Sequence, residues 1–317
     1  MTVCIATISN AGHIVGASDR MLTVGGLISF APPVPKVDQL TNSIAVLYSG
    51  ETALHAEVMH RLFPQVGEEI GKHPDKWVSV VWAATRYRDT YLYVREKRAE
   101  AAILAPQGLT YDTFHARSAQ MSQQLVEELR RQLADYAARP PGDGCAAIVA
   151  GVDAGGPYLF RIDNGSLSDE TTLGFATIGN GGVNADYELM LAGYSPKKSP
   201  DEALIHTYVA KRRAEVAPYV GPETDMFVIG PAPGTFSRLP DVWLASLDPI
   251  YRRMRRTEAR GFETATKDTQ KLLDRVAAER AKLAPPTQQA PESSAATPPA
   301  PPPGPAPEPP PTSNDGP

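Results

Sequence analysis

Residues 145–152, Cys-Ala-Ala-Ile-Val-Ala-Gly-Val, carry no polar side chain. An apolar run of this length, closed by a turn signal, reads as a strand buried on both faces. Asp153-Ala154-Gly155-Gly156 supplies the turn, and Tyr158 to Ile162 read as the partner strand. A sheet buried on both sides needs a layer over each face, which constrains the rest of the chain.

The other segments meet that demand. Residues 3–8 and 14–18 are apolar and β-prone, and Asn10-Ala11-Gly12 between them reads as a hairpin turn. Residues 44–48 form a third strand, stopped by Ser49-Gly50. The segment Ala31-Pro32-Pro33-Val34-Pro35 cannot be a central strand, because proline donates nothing to a ladder. It reads as an extended stretch that delivers Lys36. Helical periods follow, with Leu54, Val58, Leu62 and Val66 between Glu51 and Ile70, then over 75–98 and 117–138. Ile103 to Gly108 read as a short strand or a turn.

Strands return at 145–152, Tyr158 to Ile162 and Phe175 to Ile178. Helices are expected at about 184–192 and 201–216, and a closing strand at Met226 to Ile229. The order is strands, helices, strands, helices, strand. It lacks the βαβ alternation of a doubly wound sheet. The expected fold is α+β, with two stacked antiparallel sheets between helix layers, a four-layer αββα sandwich.

The chain has 317 residues, enough for one large or two ordinary domains. We divide it into a domain over 1–247, a basic helical extension over 248–284 and a tail over 285–317. The extension clusters Arg252, Arg253, Arg255 and Arg256, which reads as a solvated face. The tail holds close to half of the 31 prolines and is expected to be disordered, with polyproline II character.

The net charge of -5 lacks the basic excess of a nucleic-acid binder. No apolar run reaches the roughly 18 residues of a membrane span, and no signal peptide opens the chain. A cytoplasmic location is expected, with no membrane partner. Cys4 and Cys145, the only cysteines, lie in apolar runs and read as buried free thiols. The six histidines show no metal-ligand spacing. Gly179-Asn180-Gly181-Gly182 lacks the Lys-Ser/Thr of a nucleotide loop and reads as a turn into a helix. No metal or other cofactor is expected.

The chemistry concentrates in the first fifty residues. Thr2 follows Met1, and methionine is generally removed ahead of a small residue. A mature N-terminal Thr carries a hydroxyl nucleophile and an α-amine whose ordinary pKa is about 7.7–8.0, suited to act as its base. Asp19, Lys36 and Gly50 are the other candidates. Each alone has a plain structural reading: a turn cap, a solvated lysine and a strand terminator.

Together these residues carry a resemblance. "TVCIATISNAGHIVGASDRMLT", "PKVDQL" and "AVLYSGETA" resemble the N-terminal half of a proteasome β-subunit. They also resemble the peptidase subunit of the bacterial two-component ATP-dependent protease. "AAIVAGVDAGGPYLFRID" is similar to the family's central hairpin, and "TIGNGG" to its glycine turn before a helix. The resemblance covers about residues 2–230. It implies an N-terminal-nucleophile (Ntn) hydrolase with Thr2 as nucleophile, Asp19 as buried acid and Lys36 as buried lysine. The Gly50 N–H would form the oxyanion hole.

Asp19 stands one residue later than the family spacing, so a small insertion or Ser18 in its place accounts for it. Met21, Tyr48 and Thr52 would flank the nucleophile and shape a substrate pocket, with a core position the alternative for Tyr48. The family's accessory Ser before the central strand is replaced by Gly142-Asp143-Gly144. Its later Asp and Ser correspond to Ala217 and Val220, with Asp143 or Asp225 as candidate substitutes.

The implied activity is cleavage of a peptide or amide substrate by a homo-oligomer, as a ring or related assembly. The identity of any ATPase partner is not legible. The alternatives are a catalytically silent scaffold or binding protein of the same fold, and a small-molecule amidase using the same Thr2.

Overall fold

The apolar run at 145–152 forms the middle of a five-stranded antiparallel sheet. A computed structural model describes residues 2–24, 28–30, 35–138 and 144–283. Met1, the 31–34 part of the proline segment, Gly142, Asp143 and the 285–317 tail lie outside the described residues. The sheet order is β5 (Val37–Thr41), β6 (Ile44–Gly50), β7 (Cys145–Asp153), β8 (Gly156–Asp163) and β9 (Ser166–Asp169). Both faces of β7 are covered, as its composition requires. Ala147 and Val149 pack toward α1 (Thr52–Lys72) and α2 (Val80–Ala99), while Ile148, Ala150 and Val152 pack toward the second sheet.

That second sheet is also antiparallel, in the order β10 (Phe175–Ile178), β1 (Cys4–Ile8), β2 (Ile14–Asp19), β11 (Thr224–Ile229) and β12 (Ser237–Arg238). Its inner face contributes Cys4, Ala6, Ile8, Ile14 and Phe227 to the core shared with the first sheet. On its other face Val3, Ile5, Val15 and Ala17 pack against α5 (Gly182–Leu191) and α6 (Pro200–Ala214). A two-stranded hairpin joins β3 (Leu22–Val24) to β4 (Ile28–Phe30). The architecture is α+β, with two antiparallel sheets and seven α-helices among the described residues, compatible with a layered sandwich.

The period-4 stripe of α1 buries Leu54, Val58, Leu62 and Val66. Leu62 is fully enclosed, so Leu62→Ala is expected to cost about 2–5 kcal/mol through lost transfer energy and a residual cavity. Urea unfolding measures it, and a loss below about 1 kcal/mol would show that the site collapses around the gap.

The helical region departs from the sequence pattern in two places. Ile103 to Gly108 contain no strand: α2 runs into a π-helical turn at Glu100–Leu104, then a 3-10 turn at Ala105–Gln107. Leu104 is drawn into a satellite core with Phe114, Val126 and Leu129, and the Glu100 carboxylate accepts from Tyr111 N at 3.0 Å. The segment 117–138 is not one helix but the end of α3 (Tyr111–Arg117), a 3-10 turn and α4 (Gln123–Ala137). The Ser122 side chain caps α4 by accepting from Leu125 N. α2 begins at Val80, later than the periodicity suggested, because Ser79 caps it and Asp153 accepts from Val80 N at 2.9 Å.

The basic region belongs to one continuous helix, α7 (Asp241–Leu283). The first compact unit ends at Arg255 and takes Leu244 and Leu247 into its core. The second unit begins at Arg256; its described residues are helical, and of residues 256–282 all but the half-buried Glu258 are solvent-exposed.

Candidate active site

The β1–β2 hairpin sets the register of the site. Cys4 lies opposite Ser18, so the next pair outward is Val3 with Asp19. Asp19 N donates to Val3 O at 3.2 Å, and Val3 N donates to Asp19 Oδ1 at 3.1 Å. The carboxylate therefore sits beside Thr2, whose hydroxyl donates to Asp19 Oδ1. The residue that meets Thr2 is Asp19 and not Ser18. Ser18 Oγ is buried with no hydrogen-bond partner among the described residues.

Lys36 arrives from just before β5, its carbonyl accepting from Tyr48 N at 3.3 Å. Its ammonium donates to Thr2 Oγ1, to Met21 O and, at 3.1 Å, to Asp19 Oδ1. All three side chains are enclosed, with exposures of 1% for Thr2, 0% for Asp19 and 3% for Lys36. A buried ion pair is tolerable only when its remaining valences are filled. Asp19 meets that condition. Besides Thr2, Lys36 and Val3, it accepts from Met21 N at 3.2 Å and Gly221 N at 3.0 Å.

The other candidates are placed differently. The Met21 backbone belongs to the cluster through its N–H and carbonyl, and its side chain lies against Gly221. Gly50 ends β6 with φ +103°, and a Cβ there would collide with the Gly144 carbonyl. Its backbone conformation demands glycine. Gly50, Tyr48 and Thr52 share no hydrogen bond with Thr2 among the described residues.

Tyr48 takes a core position. Along β6, Ala45 and Leu47 face the second sheet, while Ile44, Val46 and Tyr48 face the helices. Its ring stacks on His55 with centroids 3.7 Å apart, and burial pushes the phenol up to about 12. Thr52 is the exposed first residue of α1.

Of the family's accessory positions, Ala217 and Val220 lie in the core between the second sheet and α5/α6. Asp225 is gripped by Arg20 through bonds of 2.6–3.1 Å. Asp143 lies outside the described residues.

Two contacts to the cluster were absent from the sequence reading. The glycine turn touches Thr2 directly: Gly181 N donates to Thr2 O at 3.2 Å, and Gly179 has φ +87° with its open side against the Thr2 backbone. Only the density of glycines hinted at such an approach. The Gly221 N–H leaves no sequence signal, because any residue except proline carries a backbone donor.

Elsewhere, His55 bridges Asp38 (2.7 Å) and Tyr87 (3.0 Å), and burial pulls its imidazole below the ordinary histidine range. Cys4 and Cys145 are both buried free thiols whose pKa burial raises, Cys145 to about 12, which makes them poor nucleophiles. Among the described residues no group of three or more His, Cys, Asp or Glu side chains is placed to hold a metal ion. No described helix is long and apolar enough to cross a membrane.

No family model matches this chain, and no curated protein matches it significantly.

Proposed function

We propose that this chain is a threonine-type N-terminal-nucleophile hydrolase of the αββα sandwich class, cleaving amide bonds in the cytoplasm with Thr2 as its nucleophile. The observation that carries the reading is the convergence of Thr2 Oγ1, the Asp19 carboxylate and the Lys36 ammonium in one enclosed cluster. Removal of Met1 frees the Thr2 amine, which takes the hydroxyl proton directly or through water. The Lys36 cation at the hydroxyl stabilises the developing alkoxide and, by like-charge repulsion, keeps the amine neutral. Asp19 holds that cation in place. Thr2 Oγ1 then attacks the substrate carbonyl, the Gly50 N–H receives the oxyanion, and water releases the acyl group. The substrate is a peptide in a homo-oligomeric, ring-like assembly, or a small amide on the same scaffold.

A specific observation favours a second reading, a catalytically silent scaffold or binding protein of the same fold. Thr2 is almost wholly enclosed, and the accessory polar positions hold Ala217 and Val220, both in the core.

Mass spectrometry of the N-terminal peptide from protein made in cells, followed by a β-lactone or epoxyketone probe, decides between them. Loss of Met1 with covalent labelling at Thr2, abolished in Thr2→Ala, is expected. Retained Met1 and an unlabelled Thr2 would overturn the hydrolase and leave the scaffold. Hydrolysis of peptides against small amides then separates peptidase from amidase.

A further inference from the structure

We infer that Lys211 is a positioning residue for this site, fixing the turn at Gly221 and Pro222 so that the Gly221 N–H is aimed at Asp19. The consequence for reactivity rests on Thr2 being the nucleophile; the clamp itself does not.

Lys211 lies near the C-terminal end of α6 with no solvent exposure, among Ala203, Tyr208, Ala210 and Ala214. An ammonium in such surroundings is unfavourable unless every N–H finds an acceptor. All three do. Lys211 Nζ donates to Glu215 Oε1 at 2.6 Å, Gly221 O at 2.9 Å and Pro222 O at 2.8 Å. Burial lowers the pKa of the ammonium, and the Glu215 carboxylate opposes that shift.

Two of the three bonds go to successive carbonyls of one turn. The Gly221 amide and carbonyl belong to consecutive peptide units joined at one Cα, so holding the carbonyls of Gly221 and Pro222 restricts the rotation left to the Gly221 N–H. Gly221 accepts from Lys211 through its carbonyl and donates to Asp19 Oδ2 through its amide. Lys211 thus acts on Asp19 through one residue of backbone, without touching Thr2. The arrangement places a second buried cation behind the carboxylate, with Lys36 in front. Of its sequence neighbours, Arg212 shares the Glu215 carboxylate with it and Arg213 pairs with Glu188.

The test is Lys211→Met, which keeps the length and removes the charge, with hydrogen exchange read at the Gly221 amide of the full chain. Exchange at least tenfold faster in a cooperatively folded variant is expected, matching loss of a charge-assisted anchor. Labelling of Thr2 should slow by a similar factor through its maximal rate, with half-saturating probe unchanged. Unchanged protection of the Gly221 amide in a folded variant would overturn the clamp, whatever the labelling does. If wild type and variant both fail to label while the amide responds, the clamp stands and the hydrolase reading falls. If Lys211→Met does not fold, Lys211→Gln, which removes the charge and cannot supply three donors to the turn and Glu215, is read at the same amide. Faster exchange supports the inference and unchanged exchange overturns it.

Discussion

Lys36→Met is expected to cost about 3–5 kcal/mol of unfolding free energy and to abolish labelling of Thr2. The cation and its partner are both enclosed, with 3% and 0% of their side chains exposed. Removing Lys36 leaves the Asp19 carboxyl group buried without its counter-charge, with Thr2 Oγ1 and three backbone amides as its remaining donors. Those donors lower the penalty without replacing the lost opposite charge. The double variant Lys36→Met/Asp19→Asn removes both charges and should recover part of the loss, a non-additivity that marks a coupled pair. Denaturant melts of Lys36→Met, Asp19→Asn and the double variant measure it. A single-variant loss below about 1 kcal/mol would mean that water reaches the pair and screens it.

Gly179→Ala is expected to disable the site without altering any of its side chains. Gly179 has φ +87°, a conformation that costs an L-residue about 1–2 kcal/mol. Its new methyl would also meet the carbonyl and Cγ2 of Thr2, a collision typically worth a further 1–3 kcal/mol or so. Thr2 must move, and its hydroxyl leaves the reach of Asp19 and Lys36. Gly193→Ala is the control: φ is +60° there, with nothing within 4 Å of the new methyl. It should lose only the conformational contribution and label normally. Equal melting points for the two variants would show that the turn at Gly179 yields without displacing Thr2.

The parts of this site that the sequence disclosed are those fixed by local geometry. An apolar run, a turn and a second apolar run define the β1–β2 hairpin, and its register alone brings Asp19 next to Thr2. Lys36 is different. A run of prolines precedes it, and no periodicity gives its direction, so only the resemblance singled it out. Lys211 shows how a pattern misleads. It opens a Lys-Arg-Arg run in which nothing marks one position from the next, yet only the first of the three is fully buried. Tyr48 was ambiguous because strand alternation is legible but the identity of each face is not. That identity depends on which sheet face the helices cover. The 100–120 region resisted for a related reason, since its backbone follows the burial of Leu104 and Phe114 in a small core of their own.

The donors that hold Asp19 come from positions 2, 3, 21, 36 and 221, the last of them 202 residues away along the chain. During synthesis the β1–β2 hairpin emerges before its two flanking partners, β10 and β11, which follow it by more than 150 residues. Until then both hairpin edges are open to non-native pairing, and the long loops that must close make their assembly slow. The acid beside Thr2 acquires its full complement of donors only when β11 has docked. Chain order therefore acts as a timer: a nascent or truncated polypeptide carries the Thr, Asp and Lys but not the finished cluster, which is assembled only when the sheet is whole.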